Sequence, residues 1–281
     1  MNSPPRTEHL IDLALEEDAG LGDVTSRAIF TRGHKSRAYV EAGQDLVVCG
    51  LDVATSVFKR VDPRIRTKAL ARDGQLVRKG RRILEVSGPT EGLLTAERTA
   101  LNFMQRLSGI ATLSRRFADA AKPGGARVVD TRKTTPGFRA LEKYAVRCGG
   151  CHNHRSSLGE HVLIKDNHIA AAGSVAKAIR LSRREAPHLA LIEVEAKTLA
   201  EVRAALRGRA GAILLDNMSP ALVRTALALI AGRAVVEVSG GVTLGTIGAY
   251  SMAGVDVISV GALTHSAPAA DMSLTVVPRR R

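Results

Sequence analysis

The nine-residue stretch RCGGCHNHR at positions 147–155 combines two cysteines, two histidines and two arginines. Cys148 and Cys151 form a C-x-x-C pattern, which is typical of redox pairs, and His152 extends it to the C-x-x-C-H of c-type haem attachment. Together with His154, these residues also offer four ligands of the kind that zinc prefers. In a further interpretation the cysteines are incidental, and the histidines and arginines do the chemistry.

Spacing and cysteine content weigh against the first three interpretations. A structural zinc site usually takes its ligands as two separated pairs, whereas these four ligands are crowded together. A redox pair needs its C-x-x-C at the start of a helix, and Gly149-Gly150 followed by His-Asn-His starts a helix poorly. The chain has three cysteines, an odd and low number that suits a reducing cytosol, where haem is not normally attached. The histidines and arginines are therefore the stronger candidates.

Six short apolar runs follow one another after residue 125, and each ends in polar residues or glycine. They are ARVVDTRK, HVLIKDN, LALIEVEAK, AGAILLDNM, AVVEVSGG and VDVISVGA, with helix-like segments between them. Alternating β and α segments predict a parallel sheet, and in a (β/α) barrel the active site forms at the C-terminal ends of the strands. Because six units are fewer than eight, we predict an incomplete or distorted barrel with a site at that edge.

The first hundred residues predict a mixed α/β region. Helical apolar spacing covers residues 8–18, a loop LGDVTS follows, and residues 37–41 alternate like a strand. A helix is predicted near residues 53–61, followed by short strands. A long helix is predicted over residues 93–121, with a break near the Ser-Gly pair at 108–109.

Composition narrows the possible ligands. The net charge is +14, from 41 basic and 27 acidic residues, but aromatic residues make up only 3% and tryptophan is absent. Nucleic-acid binding is typical of basic stripes with exposed aromatics, so the charge favours a small polyanionic substrate. The sequence has no apolar run long enough for a membrane span and no basic, apolar start of a signal peptide, so we expect a cytoplasmic protein.

The polar residues at the predicted strand ends have charges of both signs. The cationic or potentially cationic ones are Arg132, Lys133, His154, Arg155 and Lys165, and the carboxylates are Glu195 and Asp216. Arginines bind carboxylates and phosphates in bidentate geometry, and carboxylates can hold ribose hydroxyls, bind Mg²⁺ or stabilise a cationic sugar. Lys165 could instead form a Schiff base, as in barrel aldolases. Backbone N–H groups of Ser239-Gly240-Gly241 and Val260-Gly261-Ala262 could bind a phosphate.

Long motifs in the chain resemble the quinolinate phosphoribosyltransferase family. They run from residue 16 to residue 268: EEDAGLGDVTS, AERTALNFMQRLSGIAT, DTRKTTPGFRALEKYAVRCGG, HNHR, VLIKDNHIAAAG, IEVEAKT, ILLDNMSP, EVSGGV and ISVGALTHSAP. The resemblance implies an N-terminal α/β sandwich of residues 1–108 joined by the tail 267–281. It also implies an incomplete barrel of residues 109–266, as in type II phosphoribosyltransferases, and a homodimer in which Arg98 completes the partner's site.

The resemblance further implies a reaction and roles. Quinolinate and phosphoribosyl pyrophosphate would give nicotinate mononucleotide, pyrophosphate and CO2, with Mg²⁺ required. The implied catalytic residues are Lys165, Glu195 and Asp216, with the last two facing the ribose and the metal. The implied ligands of the pyridine carboxylates are Arg98, Arg132, His154, Arg155 and Lys165. Thr131 would bind substrate, Lys133 would lie nearer the pyrophosphate, the two glycine loops would hold the 5′-phosphate, and His265 would support the second loop.

Two departures and two alternatives accompany the resemblance. Cys151 stands where the family usually has glycine, and Ser26 where it often has threonine, so the C-x-x-C is interpreted as accidental. The glycines would then let the backbone pass close to the substrate.

A molybdenum-locus paralogue of the same fold is one alternative function. A Schiff-base aldolase using Lys165 is the other, although the neighbouring Asp166 would favour the ammonium form.

Overall fold

The computed structural model describes residues 5–31 and 33–277. The described part of the chain divides into two compact units: residues 5–31, 33–115, 136–150 and 267–277 form the first unit, and residues 116–135 and 151–266 form the second. No helix within the described ranges has both the length and the apolar character needed to cross a lipid bilayer.

The elements are numbered along the chain. The α-helices are α1 (Pro5–Ala19), α2 (Val24–Ile29), α3 (Leu51–Val61), α4 (Thr90–Ala121), α5 (Arg139–Cys148), α6 (Asp166–Ala172), α7 (Val175–Glu185), α8 (Leu199–Arg207), α9 (Pro220–Ile230), α10 (Ile247–Tyr250) and α11 (Ala262–His265). The strands are β1 (Lys35–Ala42), β2 (Leu46–Val47), β3 (Arg66–Ala69), β4 (Leu76–Val77), β5 (Arg82–Pro89), β6 (Arg127–Val129), β7 (Val162–Ile164), β8 (Ile192–Ala196), β9 (Ala212–Asp216), β10 (Val235–Ser239), β11 (Val257–Ser259) and β12 (Met272–Val276).

The first unit is built on an antiparallel sheet with strand order β12-β1-β5-β3, beside a two-stranded β2-β4 sheet. Strand β1 buries Ala38, Val40 and Ala42 on one face, the period-2 pattern of a half-buried strand. Helix α3 buries Val57 and Phe58 and contacts α1 and β3. Sheet and helices share one apolar core, which confirms the predicted α/β sandwich.

The second unit is built on a parallel sheet with order β6-β11-β10-β9-β8-β7. Its six strands are the six predicted apolar runs. Strands β6 and β7 do not pair with each other, and the open edge of β6 instead carries a single parallel bridge between Val129 and His152. This confirms the incomplete barrel, and the RCGGCHNHR stretch begins to fill its gap.

Two local predictions in the first hundred residues are wrong. Part of the expected loop LGDVTS belongs to α2, because the Asp23 side chain accepts a hydrogen bond from the Ser26 N–H at 2.9 Å and caps a helix start. The expected break near Ser108-Gly109 is absent, since α4 continues through it. A Cβ at Gly109 would overlap the Pro268 carbonyl, so this glycine serves close packing instead of ending the helix.

Candidate functional site

Strand register brings the predicted rim residues of the second unit together. Ile164 is paired with Val194, so the next residues in register, Lys165 and Glu195, lie side by side. Asp216 is paired with Ser239 at the ends of β9 and β10. The predicted residues after β7, β8, β9 and β10 therefore share the C-terminal edge of the sheet.

Lys165 and Glu195 form a direct ion pair. The Lys165 Nζ lies 2.9 Å from Glu195 Oε2, and the Glu195 side chain is almost completely buried. Asp166, the neighbour expected to favour the ammonium form of Lys165, makes its own ion pair with Lys197 Nζ at 2.8 Å. Strand β7 ends before Lys165 and α6 begins at Asp166, so the two neighbouring side chains take different partners.

His154 is enclosed by two buried carboxylates, from β8 and β10, for which the sequence predicted no role. Its Nε2 lies 3.6 Å from Glu193 Oε2 and 3.5 Å from Glu237 Oε2, and His161 Nε2 lies 3.5 Å from the same Glu193 oxygen. The Arg155 N–H points at His154 Nδ1 from 2.8 Å and opposes a second proton on the ring. The two carboxylates outweigh that opposition.

The pKa values in this cluster follow from burial and charge. Burial lowers the pKa of His154, but hydrogen bonding and attraction from Glu193 and Glu237 raise it overall to about 9. Burial raises the pKa of Glu193, but His154 and His161 together hold it at about 2. Burial and the Glu193 charge keep the pKa of Glu237 above its ordinary value, against the pull of His154. This balance favours the imidazolium form of His154 at neutral pH.

Arg155 is a buried cation beside a second cation. Only 7% of Arg155 is exposed, and its Nη1 donates to the His161 carbonyl at 3.0 Å. Its buried Nε has no hydrogen-bond partner among the described residues. Burial lowers the pKa of Arg155, the nearby Arg132 charge lowers it further, and Glu193 and Glu160 oppose both. A bound anion would relieve this repulsion.

Asp130 fixes the loop that carries these side chains. It lies at the end of β6, is fully buried, and accepts hydrogen bonds from Asn153 Nδ2 at 2.6 Å and the His154 N–H at 2.9 Å. The Asp130 N–H in turn donates to the His152 carbonyl at 3.2 Å. A buried carboxylate that binds a loop through main-chain and side-chain donors holds His154 and Arg155 in place.

The C-x-x-C is a structural feature at a helix end. Cys148 is the last residue of α5, so it lacks the helix N-terminus that redox pairs use. Gly149 packs closely against α4, where a Cβ would overlap the Ala111 carbonyl and Ser114. Cys151 is 4% exposed and its φ is not positive, so the position does not demand glycine. None of the three cysteines forms a disulfide.

The two glycine loops have tight backbone geometry. Gly240 and Gly241 have φ values of 95° and 61°, and a Cβ at Gly240 would overlap Asn217. Asn217 donates from Nδ2 to Asp216 Oδ2 at 2.9 Å, which fixes that carboxylate. In the second loop, a Cβ on Gly261 would lie 3.0 Å from His265 Nε2 and 3.2 Å from Lys133 Cδ. His265 therefore lies against Gly261, next to the Lys133 side chain.

The remaining predicted residues occupy simpler positions. Thr131 Oγ1 accepts from the Lys133 N–H at 3.0 Å, and the Lys133 carbonyl accepts from Thr264 Oγ1 at 2.7 Å, which ties β6 to α11. Val260 and Ala262 flank Gly261 at the start of α11. Arg98 is exposed on α4, in the first unit.

Asp130, Glu193 and Glu237 lie in the predicted apolar runs with polar ends, but the sequence predicted a role for none of them, and His161 was missed. A signal for the two glutamates was present, because Glu193 and Glu195 alternate within the otherwise apolar run IEVEA and so face the same side of β8. Glu193 and Glu237 are 3% and 5% exposed, and carboxylates buried in an apolar strand must be paired. His161 lies outside every strand and helix, so its place beside Glu193 had no pattern in the sequence.

The donor sets distinguish between metals. The carboxylates of Glu195 and Asp216 are oxygen ligands on adjacent strands, which fits Mg²⁺, an ion that uses one or two carboxylates plus substrate phosphates. The ligand atoms of His154, His161 and Glu193 lie within 4.8 Å of one another, as do those of Cys49, Asp73 and Cys148 in the first unit. Neither group includes Cys151 or His152, so the zinc set considered from the sequence does not form.

Comparison with known proteins gives matches over nearly the whole chain. Residues 23–108 match the family model described as quinolinate phosphoribosyl transferase, N-terminal domain, and residues 110–275 match the C-terminal domain model. A probable nicotinate-nucleotide pyrophosphorylase [carboxylating] from Bacillus subtilis is 42% identical over 92% of this chain and 90% of its own length. A chloroplastic nicotinate-nucleotide pyrophosphorylase [carboxylating] from Arabidopsis thaliana is 42% identical over 95% of this chain and 82% of its own length.

Solved structures match equally well. The crystal structure of NadC from Streptococcus pyogenes has a TM-score of 0.93 and 39% identity, and the match covers 99% of this chain and all of that one. The nicotinate-nucleotide pyrophosphorylase from Francisella tularensis has a TM-score of 0.91 and 37% identity, with 98% of each chain covered.

Proposed function

This chain belongs to the quinolinate phosphoribosyltransferase family, and on that premise we propose that it makes nicotinate mononucleotide for NAD biosynthesis. It is a phosphoribosyltransferase, and its substrates are quinolinate and phosphoribosyl pyrophosphate. The products are nicotinate mononucleotide, pyrophosphate and CO2. The observation that carries the proposal is the cationic group formed by the buried Arg155 together with the partly buried His154 and Arg132.

That cationic group matches a pyridine dicarboxylate. The His154 ring is charged at neutral pH, Arg155 is buried, and Arg132 lies close enough to lower the pKa of Arg155. Quinolinate carries two carboxylates on neighbouring ring carbons, and guanidinium groups bind carboxylates in bidentate geometry. Two anionic substrates repel each other in water, so a site that joins them must supply cations.

The chemistry needs no covalent enzyme intermediate. The quinolinate ring nitrogen attacks the anomeric carbon, and the bond to pyrophosphate breaks with its electron pair leaving on the pyrophosphate oxygen. Glu195 and Asp216 stabilise the positive charge that develops on the sugar. The resulting pyridinium then accepts the electron pair of the breaking carbon–carboxylate bond, CO2 departs, and that carbon takes up a proton. Lys165 positions Glu195 through their ion pair and faces the substrate carboxylates.

Further parts of the proposal rest on the same site. Glu195 and Asp216 would hold Mg²⁺, which neutralises the pyrophosphate charge when bound. Thr131 and Lys133 would face the pyrophosphate, and the loops 239–241 and 260–262 would bind the 5′-phosphate through backbone N–H groups. Arg98 would reach the site of the partner subunit in a homodimer. A cytoplasmic location stays a prediction, supported by three cysteines without a disulfide.

The test is an assay with quinolinate, phosphoribosyl pyrophosphate and Mg²⁺ that follows nicotinate mononucleotide and CO2 together. Equal amounts of both products, lost in a Glu195→Gln variant that folds normally, are the expected result. Product from another pyridine-like acid but none from quinolinate would favour the molybdenum-locus paralogue. Borohydride trapping of a carbonyl substrate at Lys165 would favour the aldolase, which its ion pair with Glu195 disfavours.

A further inference from the structure

A second cationic surface lies at the edge of the parallel sheet opposite the candidate site. The last turns of α7 and α8 border a groove with a volume of about 590 Å³. Its charged lining residues are Arg180, Arg183, Arg184, Arg207 and Arg209. Helices α7 and α8 lead into the N-terminal ends of β8 and β9, whereas Glu195 and Asp216 lie near the C-terminal ends. The groove and the site are therefore about one strand length, roughly 15 Å, apart along the sheet.

The arginine charges of the groove are only partly compensated. Arg183 Nη2 donates to the carbonyls of Gly208 at 3.0 Å and Arg209 at 2.9 Å, and Arg184 pairs with the exposed Glu185 at 2.7 Å. The guanidinium groups of Arg180, Arg207 and Arg209 make no ion pair or hydrogen bond with the part of the chain that the structure describes. No aspartate or glutamate is among the described residues that line the groove.

Arg209 occupies a backbone position that favours glycine. Its φ is 56°, and the hydrogen bonds from Ala210 N to Ala205 O at 3.0 Å and from Arg209 N to Leu206 O at 2.9 Å form a Schellman motif. Glycine is the usual residue at this left-handed position because a side chain strains the backbone there. Basic residues are favoured at the C-terminal end of a helix because they can bind its free carbonyls. Arg183 already binds the Gly208 carbonyl at the end of α8.

We propose that this groove binds a small oligophosphate, a molecule with two or three linked phosphoryl groups. Five exposed arginines line one groove, the guanidinium groups of three of them have no partner among the described residues, and the planar guanidinium fork matches phosphate oxygens. The lining has no aromatic side chain for base stacking, which disfavours single-stranded nucleic acid as the ligand. The inference is independent of the proposed transferase reaction.

Calorimetric titration with inorganic tripolyphosphate tests the proposal. Because the candidate active site is itself cationic, wild type is expected to show two classes of binding per chain. The Arg180→Gln/Arg207→Gln variant should lose one class, weakening it at least about tenfold, with kcat and KM unchanged. The control Arg203→Gln/Arg224→Gln removes the same charge from exposed positions on α8 and α9 and should bind like wild type. A groove variant that keeps both classes would overturn the proposal, as would a control with the same loss.

Arg209→Gly separates a binding role from a structural one. Glycine relieves the left-handed strain, so the melting temperature without ligand should be no lower than that of wild type. The affinity for tripolyphosphate at the groove should fall at least about threefold. A lower melting temperature with unchanged binding would show that Arg209 serves the helix end only and would contradict the proposal. ATP should compete for the groove through its phosphates, and competition by adenosine would contradict it as well.

Discussion

At the scale of single residues, the central feature is a histidine that stays charged. Two buried carboxylates raise the pKa of His154 to about 9 against an ordinary value of 6.5. A raised pKa in the folded state stabilises the protein fully below pH 6.5, and this stabilisation is lost as the pH rises through 9. The loss is on the order of 3 kcal/mol, because each unit of pKa shift corresponds to about 1.4 kcal/mol.

Glu193→Gln should return His154 to ordinary titration. Removing one carboxylate leaves burial and a single Glu237 charge, so the pKa of His154 should fall by at least about one unit. The KM for quinolinate should then begin to rise near pH 7, where wild type still binds well. Imidazole NMR signals and KM against pH measure both effects. Glu185→Gln on the exposed end of α7 is the matched control, and an unchanged His154 titration in Glu193→Gln would refute the assignment.

Cys148, and not Cys151, should be the first thiol to react. The hydrogen bond from Cys49 lowers the pKa of Cys148 despite the opposing effect of burial, and the Tyr144 hydroxyl adds to the lowering. Cys151 is buried at 4% exposure. A thiol reagent followed by peptide mass mapping should label Cys148 first, and Cys148→Ser should slow labelling several-fold. Cys151→Gly should remain active and label like wild type; preferential labelling of Cys151 would contradict this ordering.

At the scale of elements, α4 shows how a glycine can continue a helix. Alanine favours helix formation over glycine by up to about 1 kcal/mol, so propensity alone predicts that Gly109→Ala is stabilising. Because a Cβ there would overlap the Pro268 carbonyl, we expect Gly109→Ala to lower the free energy of unfolding by about 1–3 kcal/mol instead.

Gly248→Ala on α10 is the control for that prediction, since nothing lies within 4 Å of a Cβ at this position. It should be neutral or stabilising by roughly 0.5–1 kcal/mol. Denaturant unfolding of both variants gives the comparison. Equal effects of the two substitutions would mean that propensity decides both sites and that the contact with Pro268 is unimportant.

At the scale of the whole molecule, the proposed homodimer predicts complementation. If Arg98 completes the partner's site, Arg98→Ala and Lys165→Ala chains are each inactive alone. A mixed dimer would then contain one site with both residues intact. Random mixing of equal amounts, after dissociation and reassociation, should restore about a quarter of wild-type activity. Activity that stays at the level of the separate variants would contradict the exchange of Arg98 between subunits.

Much of the fold could be predicted from the sequence, because it depends on periodic patterns. The six apolar runs gave all six parallel strands, and their number predicted an incomplete barrel. The helix start at Asp23 and the continuation of α4 through Gly109 could not be predicted from periodic patterns. The first depends on a single hydrogen bond and the second on a single close contact. In the candidate site, the cations at the C-terminal edge of the sheet and Glu195 could be predicted, because they lie at the ends of the apolar runs. The side chains around His154 come from β8, β10 and a loop. The pairing of β8 and β10 with the same strand, β9, brings the first two close together.

The most direct test of the account is the ratio of kcat/KM for quinolinate to that for nicotinate, measured in wild type and in Arg155→Lys. If Arg155, Arg132 and His154 bind the second carboxylate, wild type should prefer quinolinate at least about a thousandfold, since nicotinate lacks the carboxylate that the buried Arg155 guanidinium would bind. Arg155→Lys should reduce this preference by roughly 10–100-fold, mainly through the KM for quinolinate, because lysine lacks the bidentate fork. A wild-type enzyme that used nicotinate as well as quinolinate, or a preference unaffected by the lysine, would contradict the account.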